Sequence, residues 1–175
     1  MGSALFFAPL HVLVVDDMPA IRAMLRQMLL ALGVRRQIDE SGDGLQAWRA
    51  LQAISYDLVI CDINMPHMNG LELLRRLRAD PRHQKTPFLM ITGEVTEDIV
   101  AAAAESEVDG YLLKPFRINA LESRLRTIIL NKHPDGTNAP LSPEAAKVAP
   151  APPGREGLTP LKNVLAFLVR KRHKP

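Results

Sequence analysis

The amino-acid sequence predicts an α/β protein. Five short parallel strands form one doubly wound sheet, five helices cover its two faces, and a flexible tail follows at the C-terminus. Two observations carry this. Short, wholly apolar runs alternate with longer stretches in which apolar residues recur at three- and four-residue spacing; these are the patterns of buried parallel strands and of amphipathic helices. In addition, four of the apolar runs end in a polar residue. Val12–Val15 leads into Asp16-Asp17, Leu58–Cys61 into Asp62, Phe88–Ile91 into Thr92, and Tyr111–Leu113 into Lys114.

The first strand is expected at about residues 10–15. The first helix follows at 19–32, with Ile21, Leu25, Met28 and Leu32 on one face and Gly33 as a left-handed stop. A short second strand falls near 37–40 and a second helix over 44–53. The third strand is 58–61. The third helix, 70–79, turns Leu71, Leu74 and Leu77 inward and is closed by Pro81. The fourth strand is 88–91, followed by an alanine-rich helix at 97–105. The fifth strand is 110–113, and the last helix, 119–130, carries Leu121, Leu125 and Ile128 inward. Right-handed crossovers between these strands give helices on both sides of the sheet.

In such a sheet, ligands bind beyond the carboxyl ends of the strands. Three carboxylates, a hydroxyl and an ammonium are therefore expected at one edge. Asp16, Asp17 and Asp62 so placed repel one another and call for a cation. A hard ion such as Mg²⁺ suits carboxylate oxygens and shares its shell with phosphate. Lys114 offers a point charge and Thr92 a hydroxyl to the same phosphate. An aspartate is itself a competent nucleophile towards a phosphoryl group. Singly, each residue has a plainer reading: Asp17 as a cap of the first helix, Asp62 and Thr92-Gly93 as turn residues, Lys114-Pro115 as a solvated strand end. Their joint placement at strand ends favours the chemical reading.

Composition bounds the alternatives. The 175 residues suit one domain with an appendage, and 47% hydrophobic content supports an ordinary core. The single cysteine, Cys61, excludes an internal disulfide and reads as inert core in a cytosolic protein. No apolar run approaches the ~20 residues of a membrane span. The first nine residues lack a basic region and make a poor signal peptide; they are expected to form a flexible end in which Phe6 and Phe7 pack loosely. The five histidines show no metal-ligand spacing, so His67 reads as a loop residue, and Trp48 reads as helix packing. The net charge of +3 divides unevenly, with −2 over residues 1–130 (14 basic, 16 acidic) and +5 over 131–175 (8 basic, 3 acidic). The resulting organisation is a flexible start at 1–9, a folded domain at 10–131, a Pro/Ala-rich linker at 132–157 and a basic amphipathic segment at 158–175. That last segment places Leu158, Leu161, Leu165 and Leu168 on one stripe before a basic end. The stripe suits a partner helix or an acidic membrane surface.

Residues from about 10 to 130 resemble the response-regulator receiver domain of bacterial two-component systems. The stretches that carry the likeness are Val14-Val15-Asp16-Asp17, Asp43-Gly44-Leu45-Gln46-Ala47, Asp62-Ile63-Asn64-Met65-Pro66-His67-Met68-Asn69-Gly70, Thr92-Gly93-Glu94 and Gly110-Tyr111-Leu112-Leu113-Lys114-Pro115-Phe116. The resemblance implies a flavodoxin-like strand order of 2-1-3-4-5, an order taken from known folds that include a chemotaxis receiver. It implies Asp62 as phosphoacceptor and Mg²⁺ held by Asp16, Asp17, Asp62 and the Asn64 carbonyl. Lys114 and Thr92 would contact the phosphate, and Thr92 and Tyr111 would form a conformational relay. A cis Lys114–Pro115 bond is implied as well, as is tuning of hydrolysis by Asn64 and Glu94. The partner face would include Val100, Ala104, Tyr111 and Arg124. The stand-alone chemotaxis receivers are the nearest in pattern.

Two functions compete on these residues. One is a phosphorylation switch fed by a sensor histidine kinase and signalling to a downstream protein. The other is a phosphorelay intermediate that passes its phosphoryl group to a histidine phosphotransfer protein. A nucleic-acid regulator is disfavoured, because no helix-turn-helix fits the proline-rich C-terminal stretch. An enzyme acting on a separate substrate is disfavoured too, since the chemistry present is self-phosphorylation and its hydrolysis.

Overall fold

The computed structural model describes residues 6–94 and 107–132. Five strands, β1 (His11–Val15), β2 (Gln37–Ser41), β3 (Leu58–Asp62), β4 (Phe88–Thr92) and β5 (Gly110–Leu113), form one sheet in the order β2-β1-β3-β4-β5. Every pairing is parallel. Among the described residues there are four helices: α1 (Pro19–Leu32), α2 (Gly44–Ala53), α3 (Gly70–Ala79) and α4 (Ile118–Lys132). The helix expected at 97–105 lies outside the described residues, as do the linker beyond Lys132 and the segment 158–175.

Alternation along the strands divides the core into two layers. Val12, Val14, Leu58, Ile60, Leu89, Ile91 and Leu112 face α1 and α4, meeting Leu25, Leu29, Leu121, Leu125 and Ile128. Leu13, Val15, Val59, Cys61, Phe88 and Met90 face α2 and α3, meeting Ala47, Leu51, Leu73, Leu74 and Leu77. β1, β3 and β4 are buried along their whole length, whereas the edge strand β2 alternates. The apolar runs are therefore continuous in the centre and broken at the edge, as helices on both faces require.

Helix ends follow local chemistry. Gly33 ends α1 at φ 102°, its N–H returning to the carbonyls of Leu29 and Leu30. Asp43 caps α2 by accepting from the Gln46 N–H. Asn69 and Glu72 form a reciprocal capping box on α3. The cap expected of Asp17 is not made: the α1 N-cap is Met18, without a side-chain cap bond.

Two boundaries differ from expectation. Phe7 is fully buried and packs with the α1–α4 layer, so the core takes in a residue of the stretch expected to be a flexible end. The Arg126 guanidinium lies 5.0 Å and 5.4 Å from the two Phe ring centres, and the Arg35 and Arg36 N–H groups bond the Ala8 carbonyl. Burial of a large aromatic and a cation over its face hold this short apolar stretch against the α1–α4 layer. At the other end α4 runs through Lys132, whose Nζ sits 2.9 Å from Asp109 Oδ1. The ion pair, on a cation in the last helical turn, carries the domain one residue into the expected linker.

Candidate functional site

Parallel register brings the polar strand ends together. β3 and β4 each run one residue further than their apolar stretches, so Asp62 pairs with Ile91 and Thr92 with Leu113 inside the ladder. The site residues Asp62 and Thr92 are thus held by sheet hydrogen bonds and not by a loop. Lys114 follows directly, its N–H donating to the Thr92 carbonyl at 2.7 Å, and the Lys114–Pro115 peptide is cis.

Lys114 is the centre of the site. Its ammonium donates to Asp16 Oδ2 at 2.8 Å and to Asp62 Oδ1 at 2.6 Å. The second oxygen of each carboxylate is met by a backbone N–H: Met18 to Asp16 Oδ1 at 2.9 Å, and Asn64 to Asp62 Oδ2 at 2.8 Å. Asp16 and Asp62 are buried, and charged groups at such depth need this pairing. Burial pushes the Asp62 carboxyl above its ordinary range, the Lys114 ammonium opposes this, and Asp16 adds to it. On Lys114, burial works against the charge, but hydrogen bonds to the two carboxylates hold its pKa above the usual lysine value.

Asp17 stands apart from this pair. It is exposed, and among the described residues no three His, Cys, Asp or Glu side chains are gathered closely enough to hold a metal ion. The three-carboxylate cluster expected from sequence is therefore a pair bridged by an ammonium. The lysine supplies the positive charge that Asp16 and Asp62 need.

The other expected residues take distinct places. Thr92 is buried and its hydroxyl is engaged locally, donating to the Glu94 carbonyl at 2.6 Å and accepting from the Glu94 N–H at 3.1 Å. The side chains of Asn64 and Glu94 are exposed at the rim. The Tyr111 ring packs against the α2–α3 layer, with its hydroxyl buried and without a hydrogen-bond partner among the described residues. Burial pushes that hydroxyl up to about 12. Arg124, on α4, is half-buried beside β5: its Cδ lies 3.1 Å from where a Cβ on Gly110 would stand. Val100 and Ala104 lie outside the described residues. His67 is an exposed loop residue at φ 64°, with Nδ1 3.4 Å from Asp43 Oδ2. The Cys61 thiol is buried, donates to the Asp62 carbonyl, and is pushed well up by burial, which keeps it inert.

Sequence reading missed what fixes the β3–α3 loop. A Cβ on Gly70 would stand 2.2 Å from the Asp62 carbonyl oxygen, and one on Gly44 would stand 2.4 Å from the Met68 carbonyl oxygen. The absence of a side chain lets α3 abut the end of β3 and lets the Gly44 N–H reach Met68 O at 3.1 Å. The loop carrying Asn64 is clasped from both sides. Arg22 was also missed; it donates to the carbonyls of Asp16 and Asp17.

Residues 12–126 match the family described as the response regulator receiver domain. The chain is 36% identical over 119 residues to the chemotaxis protein CheY of Pseudomonas aeruginosa, covering 68% of this chain and 95% of that protein. It is 37% identical over 119 residues to CheY-3 of Vibrio cholerae, covering 68% and 91%. Among solved structures, Vibrio cholerae CheY4 superposes with a TM-score of 0.63 at 31% identity, over 68% of this chain and 98% of that one. The receiver domain of the Pseudomonas aeruginosa sensor histidine kinase PA1611, solved with a magnesium ion coordinated in its active site cleft, gives 0.62 at 26% identity, over 68% and 96%.

Proposed function

The chain belongs to the response regulator receiver domain family, and we propose that it accepts a phosphoryl group on Asp62 from a phosphohistidine of a sensor kinase and signals by protein contact. The observation that carries this is the Lys114 ammonium bridging Asp16 and Asp62 at the carboxyl edge of the sheet. A carboxylate held with one oxygen on an ammonium and the other on a backbone N–H is oriented for attack. In the transfer, an Asp62 oxygen bonds to phosphorus as the phosphorus–nitrogen bond breaks, and the electron pair leaves with the imidazole. Hydrolysis then returns the carboxylate and releases inorganic phosphate. Asn64 and Glu94, exposed at the rim, would steer that water.

The donor chemistry suits Mg²⁺: Asp16 and Asp62 already converge on one cation, and Asp17, exposed beside them, and the Asn64 carbonyl are hard oxygen donors that would turn towards the ion. Asp16, Asp17, Asp62 and the Asn64 carbonyl would hold the ion, which supplies neutralising charge for the phosphoryl oxygens. With Asp16 so engaged, Lys114 is free to follow the phosphate. Thr92 would then leave its bonds to Glu94 for a phosphoryl oxygen, opening the space into which the Tyr111 hydroxyl would move. The face of β5 and α4, with Tyr111 and Arg124, reports the change, and phosphorylation acts by stabilising one state over the other.

The protein is a switch and not an enzyme on a separate substrate. By its likeness to the chemotaxis proteins it works inside the cell. No helix among the described residues is long and apolar enough to cross a membrane, and the basic 158–175 segment is the part suited to a membrane surface. Likeness to chemotaxis proteins favours a short-lived signal over transfer to a histidine phosphotransfer protein. The test is incubation with a small phosphodonor and Mg²⁺, followed by mass spectrometry. One phosphoryl group is expected on the wild type and none on Asp62→Asn. Labelling of Asp62→Asn at the wild-type level refutes the assignment, and a phosphoryl lifetime of hours supports the relay.

A further inference from the structure

Arg22 sits in the first turn of α1, where the helix dipole disfavours a cation. Its place is explained by what it holds. Nη1 donates to the Asp16 carbonyl at 2.7 Å and reaches the Asp17 carbonyl at 3.4 Å, while Nε lies 3.4 Å from Glu40 Oε2 near the end of β2. The side chain is 18% exposed. Beside it, the Asp16 N–H donates to the Ser41 carbonyl at 3.2 Å. The turn that carries both acidic residues is thus tied to the helix below and to the neighbouring strand.

We infer that Arg22 is a positioning residue for the cation site, fixing the β1–α1 turn so that Asp16 and Asp17 present their carboxylates in a geometry that favours Mg²⁺ over a larger divalent ion. This rests on the reading of Asp16, Asp17 and Asp62 as that site. Arg22 touches the backbone of these residues and not their carboxylates, so it acts through them. Its charge is only partly offset by Glu40, which Arg26 shares at 4.0 Å, so direct repulsion of a bound cation is the rival account to be tested. Mg²⁺ demands a near-ideal octahedron, whereas Ca²⁺ tolerates irregular shells. Loosening the turn therefore penalises Mg²⁺ more than Ca²⁺. A purely electrostatic role makes a different prediction, because removing a nearby cation would tighten both ions together.

The experiment titrates MgCl₂ and CaCl₂ separately into the full chain at constant ionic strength and follows the amide shifts of Asp17 and Asn64. Wild type, Arg22→Ala, Arg22→Lys and Glu40→Gln are compared, with thermal melts as a folding control. Arg22→Ala is expected to bind Mg²⁺ about tenfold more weakly, the scale of one charge-assisted hydrogen bond, and Ca²⁺ less than about threefold more weakly by the tolerance of its shell. Arg22→Lys, which replaces a planar fork by a point charge, should fall between. If Arg22→Ala does not fold, the Mg²⁺-to-Ca²⁺ ratio in Arg22→Lys carries the test. Equal weakening of both ions, or tightening of either, overturns the inference. Absence of any divalent response in the wild type refutes the reading of the cation site itself, a separate result.

Discussion

Replacing Lys114 by Met removes the ammonium while keeping most of the stem volume. Asp16 and Asp62 are then left buried with only the Met18 and Asn64 N–H groups in the bonds described above. Stranding one side of a buried pair costs about 3–5 kcal/mol. The Lys114 side chain is 23% exposed, so water relieves part of this, and about 3 kcal/mol is expected at pH 7.5. That corresponds to a fall of roughly 10 °C in melting temperature for a domain of this size. The sign with pH follows from Asp62, whose carboxyl is already raised by burial in the native state. A raised acid binds more protons folded than unfolded, so its charged form opposes folding above the native pKa and the cost fades as pH falls through it. Without Lys114 that pKa rises further, so the gap between Lys114→Met and wild type should narrow between pH 7.5 and about pH 5. Millimolar Mg²⁺ at pH 7.5 should recover much of the loss, because a bound cation replaces the missing charge. Urea unfolding at the two pH values, with and without MgCl₂, measures all of this. A gap that is independent of both pH and Mg²⁺ would refute the view that Lys114 acts as the resident counter-charge.

Gly70→Ala places a methyl group 2.2 Å from the Asp62 carbonyl oxygen, a clash of backbone with Cβ that no rotamer can relieve. A loss of at least ~2 kcal/mol is expected by urea unfolding, together with slower labelling of Asp62 by a small phosphodonor. Tyr111→Phe removes a buried hydroxyl that has no partner among the described residues and should raise unphosphorylated stability by about 1 kcal/mol in the same assay; a loss of that size would mean the hydroxyl is satisfied. His83 is buried with Nε2 unpartnered among the described residues, and burial lowers its pKa. Its neutral form is therefore favoured by folding. The stability it contributes is complete above the ordinary value of 6.5 and is lost as pH falls from there to the depressed native value. His83→Leu should flatten this part of the stability-against-pH curve.

The pattern of apolar runs and helical spacing made the architecture legible. Residues that must be dry on both faces of a sheet leave continuous apolar stretches, and capping residues mark where helices begin and stop. α1, α2, α3 and β5 fall on the expected residues, and the other elements among the described residues differ at their ends by one or two residues. Two of those small differences fall at the site. Asp62 and Thr92 look like post-strand residues in sequence because they are polar, yet the ladder continues through them since backbone pairing is indifferent to side-chain type. Phe7 was misjudged for the opposite reason: a short aromatic stretch carries no periodicity, and its burial depends on α4, more than a hundred residues away.

The sequence by itself determined which chemistry is available. It supplied two adjacent acids, a third acid, a hydroxyl and a lysine, each following an apolar run, and strand ends gather on one edge whenever parallel strands are joined by helices. What the tertiary structure decided is how those groups share charge. Lys114 claims Asp16 and Asp62 and leaves Asp17 to solvent. Thr92 is engaged by Glu94, and Tyr111 is half-buried, with its hydroxyl buried and without a partner among the described residues. Arg22, Gly44 and Gly70 lock the loops from behind. These outcomes depend on ångström-scale distances between residues far apart in the chain. Electrostatic pairing and steric exclusion change steeply over such distances, whereas the spacing of residues along a chain carries no information about them.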